Sequence, residues 1–217
     1  MNTLFEQIKE NPLFYGIEAD GFASMLPCIN GQVRTYSKDQ IVQLAGEPIR
    51  TVGLVISGAV RILREDSEGR QNLMTEVGAG DLFGEVFALA GIDISPVTVQ
   101  AAEDCTVLHM DVRRMIASCP VSCTVHHRLI QNLLALLARK NRLLNQKIEI
   151  LSKRTIRERL LLFLDLYGQG RRAFTLPYSR EELAAYLCVD RSALSAEFSK
   201  LAQEGVLRCD RRRVELL

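Results

Sequence analysis

From Pro120 to Leu151 the chain runs for 32 residues, and no glycine or further proline interrupts it. Proline suits the first position of a helix, where its missing N–H has no intrahelical partner. At ~1.5 Å per residue the helix is a rod of roughly 48 Å, longer than a small domain ordinarily covers. Ile130, Leu134, Leu137, Asn141, Leu144, Ile148 and Leu151 follow one another at intervals of four and three. That is the a/d seam of a two-stranded coiled coil, with Asn141 at an a position, where a polar residue fixes register and strand number. A second stripe, Leu129, Leu133, Leu136, Leu143 and Ile150, lies beside the first. One stripe is expected to cover the β domain and the other to meet a second copy of the chain. The alternative is one helix buried on two sides within a single protomer.

The rod divides the 217 residues. Residues 30–110 read as short strands punctuated by Gly46, Gly53, Gly58, Gly69, Gly78 and Gly80. They start near Val33, Thr35 and Tyr36 and continue at 52–57, 60–64, 73–77, 97–101 and 106–110. Short apolar runs between turn residues at such intervals predict an antiparallel sandwich or barrel. Residues 152–217 change character again. A helix is expected over 155–167, ended by Gly168 and Gly170. Ser179 and Glu182 form a capping-box pair opening a helix over 180–187. Asp190 caps a further helix over 191–204, which Gly205 stops. Residues 206–216 read as a two-stranded hairpin with a basic turn. The expected architecture is α+β: an antiparallel β domain in residues 1–118, a dimerisation helix in 119–151 and a winged helix-turn-helix in 152–217.

Charge follows the same division. Residues 1–151 carry 14 Lys and Arg against 17 Asp and Glu, a net −3, and residues 152–217 carry 13 against 9, a net +4. The basic third is where a polyanion docks. Helix, three-residue turn, helix and basic hairpin make a winged helix-turn-helix pattern. Ala184 is small where two helices touch. Cys188 stands where glycine is common, because that turn position often needs a positive φ. Arg191 is the candidate for a bidentate contact to guanine, and Ser192 and Ser195 reach a base or a phosphate. Ser179, Arg180, Lys200, Arg211, Arg212 and Arg213 complete the candidate DNA-contacting set, the three wing arginines gripping phosphates.

The order of β-domain, long helix and winged helix-turn-helix resembles the CRP/FNR family of bacterial transcription regulators. The motifs that carry the resemblance are the run Gly80, Asp81, Leu82, Phe83, Gly84, Glu85, the strand between Gly53 and Gly58, and residues 179–201. The resemblance implies a cyclic-nucleotide-binding-like roll in which Gly84 lets its backbone approach a ligand and Glu85 accepts a ribose hydroxyl. It also implies RNA polymerase as a partner and a two-fold operator in double-stranded DNA. The candidate effector pocket is Phe83, Gly84, Glu85 and Ser95. In the family, an Arg-Ser/Thr-Ala run neutralises the cyclic phosphate; here Ser95, Pro96 and Val97 stand there, and no arginine lies between Arg70 and Arg113. A buried phosphate without a cation forgoes its charge-assisted bonds. Cyclic AMP is therefore not the expected effector, and the cofactor is left unknown.

Two sensor chemistries stay open. One is an uncharged organic ligand in the roll. The other is redox, metal or haem sensing by Cys119, Cys123 and His126 or His127, at one-face helical spacing. Against the second, buried thiols and a helix-terminal histidine pair account for the same residues, and Cys105 with His109 reads as core. A regulatory cyclic-nucleotide module acting on a protein partner is a further alternative. The chain has no run of eighteen apolar residues, no signal-peptide core and no CxxC among six cysteines, so a cytoplasmic protein with reduced thiols is expected. No GxSxG, Walker or HExxH motif points to an enzyme.

Overall fold

The computed structural model describes residues 2–66, 68–117 and 124–217. Two helices that the sequence pattern did not announce open the chain, α1 (Asn2–Ile8) and α2 (Ala19–Cys28). A 3-10 turn at Pro12–Phe14 lies between them. Asn11 caps that turn, its Oδ1 accepting the Leu13 N–H at 3.0 Å, and its Nδ2 donates to the Gly80 carbonyl at 2.8 Å. Leu13, Phe14 and Phe22 are fully buried, with the Phe14 and Phe22 rings edge to face at 5.2 Å.

The β-roll follows. Its strands are β1 (Gln32–Tyr36), β2 (Ile41–Gln43), β3 (Thr51–Ser57), β4 (Ala59–Glu65), β5 (Gln71–Gly78), β6 (Leu82–Phe83), β7 (Thr98–Ala101) and β8 (Cys105–Asp111). They form two antiparallel sheets, ordered β1-β8-β3-β6 and β2-β7-β4-β5. Two short helices interrupt them, α3 (Glu85–Leu89) and α4 (Val112–Ile116). Period-two alternation aims Tyr36, Val55, Val60, Phe83, Val99, Ala101, Cys105 and Val107 into one apolar cluster. β2, β6 and α3 had no signal in the sequence pattern: the strands have three and two residues, too few to show alternation.

One close approach fixes the roll. Gly53 pairs with Phe83 across β3 and β6, and a Cβ placed on Gly53 would stand 2.1 Å from Phe83 Cζ. Glycine is required there for space, because the aromatic ring lies on the bare backbone.

The long period becomes α5 (Thr124–Ser152), 29 residues. Pro120 and the residues around it lie outside the described residues. Leu129 and Leu133 of the second stripe are buried, as is Ile150, but Leu143 is half exposed. The first part of α5 meets the N-terminal segment of residues 1–118: Val125 abuts Gly21 of α2, and the Asn132 amide donates to the Leu13 and Tyr15 carbonyls at 3.0 and 2.8 Å. The seam stripe faces outward. Leu134, Leu144 and Ile148 are 61–64% exposed, Asn141 is exposed, and Ile130, Leu137 and Leu151 are half-buried. The chain separates into two compact units, residues 1–136 and 137–217, and α5 contributes to both. Among the described residues no helix is long and apolar enough to cross a membrane.

After α5 come α6 (Ile156–Gly168), β9 (Ala173–Thr175), α7 (Arg180–Leu187), α8 (Arg191–Gln203), β10 (Leu207–Asp210) and β11 (Arg213–Leu216). The C-terminal hairpin gains a third strand that was not expected, giving the order β10-β11-β9. Ile150, Leu160, Phe163, Leu164, Leu183, Leu187, Leu194, Phe198 and Leu201 share the core of this unit.

Gly53→Ala is expected to destabilise the protein by about 1–3 kcal/mol, because the Phe83 ring, 7% exposed and packed in the apolar cluster of the roll, would have to shift. Adding Phe83→Ala should recover part of that loss, so that the double variant falls short of the sum of the singles. Urea unfolding of the four proteins of this cycle measures both effects.

Candidate nucleic-acid interface and effector pocket

The helix-turn-helix is built by local chemistry. Ser179 caps α7: its hydroxyl accepts the Glu182 N–H at 3.2 Å, and the Glu182 carboxylate accepts the Ser179 N–H at 2.6 Å. Those bonds hold the Glu182 carboxyl below its ordinary pKa. Cys188 ends α7 at φ 52°, ψ 52°, the left-handed conformation expected for that turn position. Three contacts hold the bend. The Val189 N–H donates to the Ala184 carbonyl at 3.0 Å, and Arg159 of α6 donates to the carbonyls of Leu187 and Cys188 at 3.2 and 3.4 Å. Asp190 then caps α8, accepting the Ser192 and Ala193 N–H groups at 2.7 and 3.1 Å; the Ser192 hydroxyl and these amides lower its pKa. Ala184 is 3% exposed, so the two helices meet at a small residue as the spacing required.

The structure places the candidate contact residues unequally. Arg191 and Lys200 are exposed on α8, with no ion pair among the described residues. Ser192 is exposed and its hydroxyl donates to Asp190, while Ser195 is half-buried. Glu197 is half-buried beside Arg157 of α6 at 3.6 Å; the same guanidinium holds Glu204 at 2.5 Å. The seven-residue interval between Glu197 and Glu204 was the available signal for that contact. Arg211, Arg212 and Arg213 are exposed at the hairpin tip, with Arg211 at φ 52°. Arg180 is different. It is half-buried, and its guanidinium lies 3.4 Å from the centroid of the Phe198 ring. Lys147 was not anticipated either: it sits over the Tyr186 ring at 3.5 Å and donates to the Tyr186 carbonyl, and burial lowers its pKa.

In the roll, Gly84 has φ 79° and initiates α3, and Glu85 and Phe83 are 4% and 7% exposed. Ser95 is 4% exposed and closes on its own loop: its hydroxyl donates to the Val97 carbonyl at 2.7 Å and accepts the Val97 N–H at 3.4 Å. Cys105 lies in the roll core, as expected. His109 faces the same side of the sheet but is only partly core: Nε2 is 2.9 Å from the Tyr36 hydroxyl and Nδ1 3.5 Å from Thr51 Oγ1. Burial, then Arg34, pushes its pKa down to about 4. Cys119 and Cys123 lie outside the described residues. His126 is buried and donates from Nε2 to the Met115 carbonyl at 2.7 Å, whereas His127 is exposed beside Gln131.

Comparison with known proteins agrees with both halves. The family described as cyclic nucleotide-binding domain matches residues 33–119, and the Crp-like helix-turn-helix domain matches residues 158–217. The Cyclic AMP receptor protein of Thermus thermophilus is 29% identical over 204 residues, spanning 93% of this chain and 90% of that protein. The transcriptional activator protein FnrA of Stutzerimonas stutzeri is 27% identical over 193 residues, spanning 85% and 76%. Among solved structures, the Catabolite Activator Protein of T. thermophilus has a TM-score of 0.52 at 28% identity, covering 95% of this chain and 93% of that one. Fold and site thus define a transcription regulator with a DNA-binding helix-turn-helix and an effector-binding β domain. The chain belongs to the CRP/FNR family.

His109 gives the roll a pH dependence. It is depressed from 6.5 unfolded to about 4 folded, so the unfolded chain binds the extra proton between those values. Its contribution is complete above pH 6.5 and is lost as pH falls towards 4, by about 3 kcal/mol. His109→Gln should flatten that part of the acid limb, read from urea midpoints at pH 7 and pH 4.5.

Proposed function

We propose that this regulator is a homodimer that binds a two-fold operator in double-stranded DNA and is controlled by an effector in the β-roll other than cyclic AMP. The observation that carries the dimer is the outward apolar stripe of α5. Leu134, Leu144 and Ile148 expose more than half their surface in the single chain, at the interval that two-stranded coils bury. A symmetric pair of such helices places two α8 helices for successive major grooves, with half-sites about one helical turn, roughly 34 Å, apart. Arg191 reads a base edge; Ser192, Ser195, Ser179 and Lys200 flank it; Arg211, Arg212 and Arg213 take phosphates. RNA polymerase contact follows from the family.

Two features support an effector other than cyclic AMP. The Ser95 hydroxyl is spent on Val97, and its neighbours Ile94 and Pro96 bring no charge. No such support favours the metal reading, and His126 already has the Met115 carbonyl as its partner.

Sedimentation of Leu144→Glu and Leu137→Glu tests the assembly: both should sediment as monomers and lose tight binding to a two-fold site, and an unchanged dimer in both overturns the seam. For DNA, Arg191→Ala should cost ~1–3 kcal/mol and relax preference at one base pair, whereas Arg212→Ala should weaken all duplexes alike and lower the salt slope by ~0.9. Competition titrations over a salt series separate the two.

A further inference from the structure

Arg180 occupies the first turn of α7 and was expected among the residues that contact DNA. Its surroundings give it other work. The planar guanidinium covers Phe198, the buried anchor of α8 at 4% exposure. Its Nη2 donates to Cys209 Sγ at 3.3 Å. Cys209 lies on β10, opposite Val214 of β11, and its thiol in turn donates to the Arg211 carbonyl at 3.6 Å. Arg211 is the residue that turns the hairpin tip through a positive φ. One side chain on α7 therefore touches α8 by its face and the wing by its edge, and the contact continues to the wing tip.

We propose that Arg180 is a positioning residue for the wing: through Phe198 and Cys209 it fixes where Arg211, Arg212 and Arg213 stand relative to α8, and it does not itself neutralise a phosphate. Only arginine fits this task. A flat, delocalised cation lies on a ring and still offers N–H groups at its rim, whereas a lysine ammonium is a point charge without a plane. The proposal rests on the reading that α8 and the wing bind DNA.

The test uses the full-length chain, a duplex that it selects from a random pool, and a salt series. Positioning predicts that Arg180→Lys and Arg180→Ala weaken binding alike, by roughly tenfold, although the lysine keeps its charge. It also predicts that Arg212→Ala adds less than about twofold in the Arg180→Ala background, since a displaced wing has no contact left to lose. Cys209→Ala, which leaves the Phe198 stack in place, should show the same non-additivity with Arg212→Ala to a smaller degree. Thermal melts establish that each variant is folded at the assay temperature. A direct phosphate contact gives the opposite pattern: Arg180→Lys holds wild-type affinity and salt slope, Arg180→Ala drops the slope by ~0.9, and the Arg212→Ala loss adds in full. That pattern overturns the proposal. If Arg212→Ala alone has no effect, the wing does not engage DNA; the underlying reading of the wing then fails, and the positioning role with it.

Discussion

A single helix with apolar residues on more than one face sets the terms for the rest of this protein. α5 buries Leu129 and Leu133 in one compact unit and Ile150 in the other, while Leu134, Leu144 and Ile148 remain in solvent. A helix of 29 residues with few packed side chains along its middle gains little from its own propensity in water. Its ends are held by specific chemistry instead. At one end the Asn132 amide satisfies two carbonyls of the N-terminal turn, and at the other Ile150 enters the helix-turn-helix core. Asn11 extends the first contact to the Gly80 carbonyl, so the glycine run that starts there and the long helix both bond to the same short segment.

Most of the architecture was legible because it rests on periodicity and capping. The 4-3 spacing, the Ser179 and Glu182 pair and the Asp190 cap each specify a local geometry with few alternatives, and α5, α7 and α8 follow from them. What escaped lies where length or context decides. α1 has only seven residues, and α2, with ten, has no capping bond from a side chain. β6 has two residues and β9 three, and both exist only because a neighbouring strand offers hydrogen bonds. Side-chain direction was the least legible of all. Arg180 was placed among the DNA-contacting residues and Glu197 was given no role, yet each has a partner far away in sequence: Cys209 for one, Arg157 for the other.

The recognition unit shows how much backbone support a short bend needs. Cys188 holds a left-handed conformation without the freedom of glycine, at a cost of order 1 kcal/mol. Arg159 donates to the carbonyls on its N-terminal side and Asp190 collects the amides that follow, so the bend is anchored from both directions. Arg157 ties the far side of α8 to α6 through Glu197 and Glu204. These bonds turn a marginal turn into a fixed angle between two helices.

The contact between Gly53 and Phe83 has a consequence for how the roll can change over generations. Because the ring occupies the space that any side chain at 53 would need, the two positions are not free to drift independently. A lineage can lose the aromatic ring first, leaving a void that a later side chain at 53 fills. The reverse order passes through an overpacked intermediate. The pair is thus a one-way gate for sequence divergence, set across β3 and β6, the second of which leads into Gly84 and Glu85.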